Sequence, residues 1–370
     1  MRVTRKENVK NVKTKRIIER VSSFYTQKCL FRVYLPSMKI AFIGSGAWAT
    51  ALASVLAEHE DNEIVLYGKR KEEVDDINLN HKNAAYFPDV TLKDSITATL
   101  DEDVALKGAE LLVLATPSSQ IGNVMAMLKE HLDSKPLLVN VIKGFDPNTA
   151  EGITSVIKKA LPNKDMVRSV VSLVGPSFAK DVIHHDNTCV CAVSDDLEAA
   201  QEVQRTFSST TFRVYTNTDV IGAEIGAGMK NIIAIASGIL MGLGYQDNAR
   251  ASLITRGLAE ITRYGVYKGA QEKTFLGLTG VGDLFLTCSS PSSRNYSFGL
   301  EIGKRGEAAS VLKENKKTVE GVLACKTIHE HAAKEGISTP IVDAVYAVLY
   351  EGVSPKKMAA ALMERSLKAE

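Results

Sequence analysis

The stretch Met38-Lys39-Ile40-Ala41-Phe42-Ile43-Gly44-Ser45-Gly46-Ala47-Trp48-Ala49-Thr50 decides how the rest of the chain is read. Ile40 to Ile43 form an unbroken apolar run, the pattern of a strand buried on both faces. Two glycines follow, then the small Ala49 and a helix-forming run through Ala51 and Leu52. Each small residue has a geometric reason. Gly44 permits a tight turn, Gly46 lets backbone approach a pyrophosphate with no Cβ in the way, and Ala49 lets the helix pack closely on the sheet. A helix that opens at this point aims its free N–H groups at the phosphates. Gly44, Ser45, Gly46 and Ala47 therefore read as a dinucleotide-binding loop.

Outward from this loop, strand-like runs alternate with helical periods. Met38 to Ile43, Glu63 to Tyr67, Leu111 to Ala115, Leu137 to Ile142 and Val170 to Val174 read as buried strands. Trp48 to Glu58, Ser118 to Leu132 and Glu151 to Leu161 read as helices. Cys189 to Val193, a helix over Asp196 to Phe207, and Phe212 to Tyr215 complete the domain. The alternation predicts an α/β Rossmann-type domain with a parallel-rich sheet over residues 38–216. Past Thr216 the pattern turns helical, over Val220 to Leu243, Ala249 to Tyr267, Phe298 to Arg305, Val319 to Glu335 and Ile341 to Tyr350, predicting an all-α domain over 217–370. Ile221 to Tyr245 is apolar enough to suggest a membrane span, but Glu224, Lys230 and Asn231 interrupt it, so a buried helix is expected, without stable membrane insertion.

Ligands of open α/β sheets bind beyond the carboxyl ends of the strands. Strand two ends in Gly68-Lys69-Arg70 where an acid would hold an NAD ribose. Two cations there suit a 2′-phosphate, so NADP is expected to be accepted; the opposing reading is a solvated strand end. Thr116-Pro117 and Lys143-Gly144 stand at two further strand ends, Lys143 being either a group that reaches the crevice or a solvated turn lysine. In the helical half, Lys230 and Asn231 occupy a stretch otherwise fit for burial. A buried lysine has its pKa pushed down, which equips it for proton transfer near neutral pH, unless it snorkels to the surface. Leu276-Gly277-Leu278-Thr279-Gly280-Val281-Gly282-Asp283 lacks a preceding strand, so its glycines are assigned to close backbone approach, with Asp283 available to hold Lys230 charged. Ser293-Arg294-Asn295 precedes a helix and reads either as a phosphate pocket or as a plain N-cap with a surface Arg.

Composition sets the outer limits. The chain has 370 residues, 45% hydrophobic and 24% charged, as an ordinary two-domain globular protein does. Ten of its 45 basic residues lie in residues 1–37 against two acids, leaving 35 basic and 41 acidic residues in the body. That acidic body argues against nucleic acid as a partner. Residues 1–37 show no signal-peptide pattern and are read as a poorly ordered basic extension, with a transit segment as the alternative. Five scattered cysteines without a C-x-x-C pair and seven histidines without a ligand spacing indicate a reducing, cytoplasmic setting and no metal.

Taken in order, Gly44-Ser45-Gly46-Ala47-Trp48, Lys143-Gly144, Gly175-Pro176-Ser177-Phe178-Ala179, Lys230-Asn231, Gly282-Asp283, Ser293-Arg294-Asn295 and Val319-Glu320-Gly321 resemble the NAD(P)-dependent glycerol-3-phosphate dehydrogenase family, its bacterial members above all, from about Met38 to past Pro340. The resemblance implies a C-terminal domain like that of 6-phosphogluconate dehydrogenase. It also implies reversible reduction of dihydroxyacetone phosphate to sn-glycerol 3-phosphate with NAD or NADP, supplying phospholipid synthesis. Carried over by position, Lys230 is the proton donor and acceptor, Asp283 its support, and Lys143 a contact to both substrate and cofactor. Gly175, Ser177, Asn231, Ser293, Arg294 and Asn295 line the substrate site, and Trp48, Ala179, Arg294 and Glu320 touch the cofactor. Many bacterial members have Ser where this chain has Ala47, so one hydroxyl contact is lost while backbone donation is kept. A homodimer is expected. The alternatives are a related hydroxy-acid or 6-phosphogluconate-type dehydrogenase and a nucleotide sensor without turnover.

Overall fold

Short β-branched runs separated by helices can pair in parallel only through long crossovers, which place helices on both faces of the sheet. The computed structural model describes residues 37–366 except 60, 147–150, 162, 316 and 317, and contains that arrangement. Eight strands, β1 (Lys39–Ile43), β2 (Glu63–Tyr67), β3 (Ile96–Thr99), β4 (Leu111–Leu114), β5 (Leu137–Asn140), β6 (Ser169–Val174), β7 (Thr188–Val193) and β8 (Phe212–Asn217), form one sheet in the order β3-β2-β1-β4-β5-β6-β7-β8. Every neighbouring pair is parallel except β6 with β7. The chain runs from β1 to one edge, then returns to β4 on the other side of β1, so the switch point lies between β1 and β4.

Helices α1 (Ala47–Leu56), α2 (Lys71–Asn80), α3 (Glu102–Leu106), α4 (Ile121–His131), α5 (Ile153–Ala160), α6 (Ala179–Ile183) and α7 (Leu197–Phe207) connect the strands. Alternate strand residues feed two cores: Phe42, Leu66 and Val113 pack with Leu52 on one face, and Ile43, Leu112 and Leu138 with Leu128 on the other. After β8 the chain is helical: α8 (Val220–Gly242), α9 (Asp247–Tyr267), α10 (Asp283–Ser289), α11 (Arg294–Arg305), α12 (Ala309–Glu314), α13 (Glu320–Glu335), α14 (Pro340–Tyr350) and α15 (Pro355–Met363). This part is built round α8, whose Met229, Ile232, Ile233 and Ile235 are fully buried among α9, α11 and α13. Burial of each such side chain stabilises the fold by roughly 1.5–3 kcal/mol. Although α8 is long and apolar enough to cross a membrane, 83% of its apolar window is buried inside the protein. Met38–Glu370 forms one compact unit; residues 1–36 of the basic extension lie outside the described residues, and with them the expectation about their order.

Several elements differ from the sequence reading. β3 and α2 carried no readable signal, because β3 is a four-residue edge strand with alternating exposure and α2 buries little more than Val74 and Ile77. The helical run expected from Ser118 opens as a tight turn, Ser118–Gln120, before α4. β7 reverses against β6, which a count of apolar runs cannot reveal, since the runs carry no direction.

Candidate active site

The dinucleotide loop takes the backbone its sequence requires. Gly44 sits at φ +122°, and a Cβ there would stand 2.6 Å from the Ala115 carbonyl oxygen, so the ends of β1 and β4 touch at the switch point. Gly46 is the extended N-cap of α1, with no side-chain cap and room for a Cβ 4.0 Å from the Tyr86 hydroxyl, and Ala47 and Trp48 form the first turn. Asn83 holds the loop from below: its amide donates to the Ser45 carbonyl at 2.9 Å and to Thr50 Oγ1 at 2.9 Å. Ser45 itself is buried and donates to Glu73 Oε2 at 2.8 Å. The indole N–H of Trp48, in the first turn of α1, and the hydroxyl of Thr116, just past the end of β4, are buried polar atoms that make no hydrogen bond among the described residues. Such atoms are costly to leave unpaired, so a polar ligand in this cradle is a physical fit.

Lys69 is exposed at the end of β2, and Arg70 N-caps α2. Arg70 pairs with Glu73, donates to the Tyr86 hydroxyl at 2.5 Å, and lies 5.8 Å above the Tyr86 ring. Both cations follow the end of β2, and Glu73 offsets part of the Arg70 charge.

The second cluster joins the two halves of the chain. Lys230 is 3% exposed and its ammonium is ion-paired with Asp283 Oδ1, while Lys143, beyond the carboxyl end of β5, places Nζ 3.6 Å from Asp283 Oδ2. One buried carboxylate thus bridges two lysines. Burial pushes the Lys230 pKa down, Asp283 pulls it back up, and the nearby Lys143 charge lowers it again; the net direction is down. A small residue on α8 makes room for the pair: a Cβ on Gly226 would overlap the Thr279 carbonyl, so helix backbone and loop lie in contact. Pro176, from the Gly175-Pro176-Ser177 segment after β6, packs 3.7 Å from the Cβ position of Gly282. Ser177 Oγ donates to the Gly175 carbonyl at 3.3 Å, and Ala179 opens α6, which packs on α1.

Next to Lys230, Asn231 Oδ1 accepts from Asn295 Nδ2 at 2.9 Å and Asn231 Nδ2 donates to Glu320 Oε2 at 3.4 Å. Asn295 Oδ1 accepts the Gly321 N–H at 2.9 Å, and Arg294 reaches Glu320 Oε1 at 3.7 Å from an exposed position. Ser293 N-caps α11, accepting the Tyr296 N–H at 3.2 Å. That hydroxyl is used as a cap, and the Asn295 amide is spent on an internal network. Arg294 is the member of this motif left facing solvent.

The structure therefore gathers Lys143, Lys230 and Asp283 into one group, and Asn231, Asn295, Arg294 and Glu320 into an adjoining one. Lys69 and Arg70 belong with the dinucleotide loop. Sequence reasoning passed over Glu73, on the weakly patterned α2, and Asn83 and Tyr86, in a turn-rich stretch with no periodicity or motif spacing to single them out.

A Rossmann-order sheet with an open glycine loop, joined to a helical half that buries a lysine–aspartate pair, defines the class: a two-domain dinucleotide-dependent dehydrogenase. The chain belongs to the NAD-dependent glycerol-3-phosphate dehydrogenase family, whose N-terminal region matches residues 39–200 and whose C-terminal region matches residues 219–360. It is 43% identical to the glycerol-3-phosphate dehydrogenase [NAD(P)+] of Limosilactobacillus fermentum, over 90% of this chain and 99% of that protein. It is 42% identical to the enzyme of the same name from Clostridium perfringens, with the same coverage. The crystal structure of the glycerol-3-phosphate dehydrogenase of Coxiella burnetii superposes with a TM-score of 0.81 at 32% identity, over 89% of this chain and 99% of that one.

Proposed function

We propose that this protein reduces dihydroxyacetone phosphate reversibly to sn-glycerol 3-phosphate with NADH or NADPH. The observation that carries the reading is the buried Asp283 carboxylate shared by Lys230 and Lys143. When bound, the reduced nicotinamide supplies the hydride that reaches the ketone carbon. The oxygen then carries developing negative charge, which the Lys230 ammonium stabilises and neutralises by giving up one proton from Nζ. Burial lowers the cost of that release and Asp283 keeps the ammonium aimed. In the reverse direction neutral Lys230 takes the alcohol proton. Lys143 supplies a second positive charge beside the same carboxylate, toward substrate and cofactor. Ser293, Arg294 and Asn295, with Gly175, Ser177 and Asn231, line the substrate end, with the exposed Arg294 guanidinium as the phosphate fork. The cofactor is held by the Gly44-Ser45-Gly46-Ala47-Trp48 loop, by Ala179 and Glu320, and by Lys69 and Arg70 where a 2′-phosphate is present.

In this reading residues 38–216 are the cofactor domain and 217–370 the substrate domain. The enzyme works in the cytoplasm as a homodimer, outside the membrane, and feeds phospholipid synthesis.

The test is oxidation of NADH or NADPH by purified protein with dihydroxyacetone phosphate against a panel of 2-keto acids, followed by absorbance. Turnover with the triose phosphate alone is expected, and turnover with keto acids instead sinks the reading. Lys230→Ala is expected to lower kcat by about a thousandfold or more while leaving the Kd for NADPH within about twofold. An active Lys230→Ala enzyme removes Lys230 from this role.

A further inference from the structure

We propose that the closed loop following Lys143 is a fastener gripping one turn of α8, with Glu224 as a positioning residue that sets Lys143 against Asp283. The inference rests on the roles just given to Lys143, Lys230 and Asp283. The loop leaves β5 at Asn140 and returns at the start of α5. Its neck is tied shut by an antiparallel bridge between Phe145 and Gly152 and by the Asp146 N–H donating to the Glu151 carbonyl at 2.8 Å. Both sides of that neck are seated on α8. The Phe145 ring lies where a Cβ on Gly228 would overlap it, and it joins the core of the helical half with Ile225 and Met229 rather than either core of the sheet. Beside it, Gly152 leaves the space taken by the Glu224 carboxylate, and Glu224 Oε1 accepts the Thr154 N–H at 2.5 Å. Residues 224 and 228 are one turn apart, so the two contacts grip the same helix face.

From Thr154 a buried polar chain runs back to the base of the loop. Thr154 Oγ1 is 2.6 Å from Ser172 Oγ, which accepts from Asn140 Nδ2 at 3.0 Å, and Asn140 Oδ1 accepts the Ile142 N–H at 3.0 Å. Lys143 is the next residue. Every member of this chain is buried, so none of these bonds can be exchanged for water without cost. The chain thus fixes the strand end that carries Lys143 to the helix that carries Lys230.

Glu224 faces Thr154 and Lys158, whereas Lys230 faces Asp283, Lys143 and Cys288. Loosening the fastener draws Lys143 away from Asp283 and leaves that carboxylate to Lys230 alone, which raises the pH at which Lys230 gives up its proton. A defect that leaves Lys230 buried and Lys143 beside Asp283 does not produce that shift.

The test compares Glu224→Ala, Glu224→Gln and Gly228→Ala, the last loosening the opposite side of the neck. Glu224→Ala and Gly228→Ala are each expected to lower kcat by roughly 10- to 100-fold, the scale of a 1 Å misplacement. The Lys230 limb of the pH profile moves up by about half a unit or more. Glu224→Gln keeps an acceptor for the Thr154 N–H and recovers most of the activity. Amide exchange over 142–146, read without substrate, speeds up in Glu224→Ala. Wild-type kcat and pH profile in both alanine variants overturn the proposal, as does lost activity with an unmoved profile and unmoved exchange. A wild-type enzyme inert toward dihydroxyacetone phosphate refutes the functional reading instead, and unaccelerated exchange then still refutes the fastener.

Discussion

Replacing Asp283 by Asn removes the acidic group paired with Lys230 among the described residues and keeps its shape. Lys230 is 3% exposed, so its ammonium would be left charged without a partner, a loss of about 3–5 kcal/mol for a broken buried pair. The protein has a way to limit that loss, which is to release the proton. Releasing it from a lysine with an ordinary pKa of 10.5 costs about 1.4 kcal/mol for each unit by which the pH lies below that value. At pH 6.5 the limit is therefore about 5 kcal/mol, and the full deficit is expected. At pH 9.5 it is about 1.4 kcal/mol, because the amine sheds its proton readily. The sign follows from linkage: a folded-state lysine with a depressed pKa binds fewer protons than the unfolded chain between the two pKa values, so stability rises with pH across that window. The substitution depresses the pKa further and widens the window on its acid side. Urea unfolding of both proteins at pH 6.5, 8 and 9.5 reads the deficit directly. A deficit that stays constant with pH, or one below about 1 kcal/mol at pH 6.5, refutes the claim that this ion pair is what keeps a buried lysine charged.

Three further outcomes are expected. Lys69→Ala with Arg70→Ala should raise the KM for NADPH at least about tenfold and leave that for NADH within about twofold, because only NADP carries the 2′-phosphate; equal effects on both cofactors return these residues to a solvated strand end. Gly226→Ala forces a methyl group against the Thr279 carbonyl and should cost about 1–3 kcal/mol in stability while lowering kcat, since the displaced loop carries Asp283; a fully active, equally stable variant shows the contact to be slack. Glu260, buried and accepting the Ile341 and Val342 N–H groups at the start of α14, has its pKa pushed up to about 7 by burial. Its contribution to stability is full below its ordinary value of 4.5 and is lost as the pH rises through about 7, so urea midpoints between pH 4.5 and 7 should fall less steeply with pH in Glu260→Gln than in the wild type.

What the sequence by itself determined was whatever rests on local spacing. The strand, glycine loop and helix from Met38 to Leu56 need only neighbours in the chain, as do the long apolar period of α8 and the pairing of Lys230 with Asn231 within it. Tertiary structure decided everything that depends on which segments meet. Asp283, 53 positions from Lys230, was legible as its support, but the contact itself depends on a loop backbone lying against Gly226. Asn83, in a stretch without periodicity, became the support of the dinucleotide loop only once folding brought it under Ser45. Ser293 and Asn295, read as phosphate contacts or as a cap, turned out to spend their polar atoms on capping and on Asn231. The reversal of β7 and the docking of Phe145 into the other half's core left no trace in composition either. A residue's type and spacing limit its local backbone, but its partners are set by burial, and burial is a property of the whole chain.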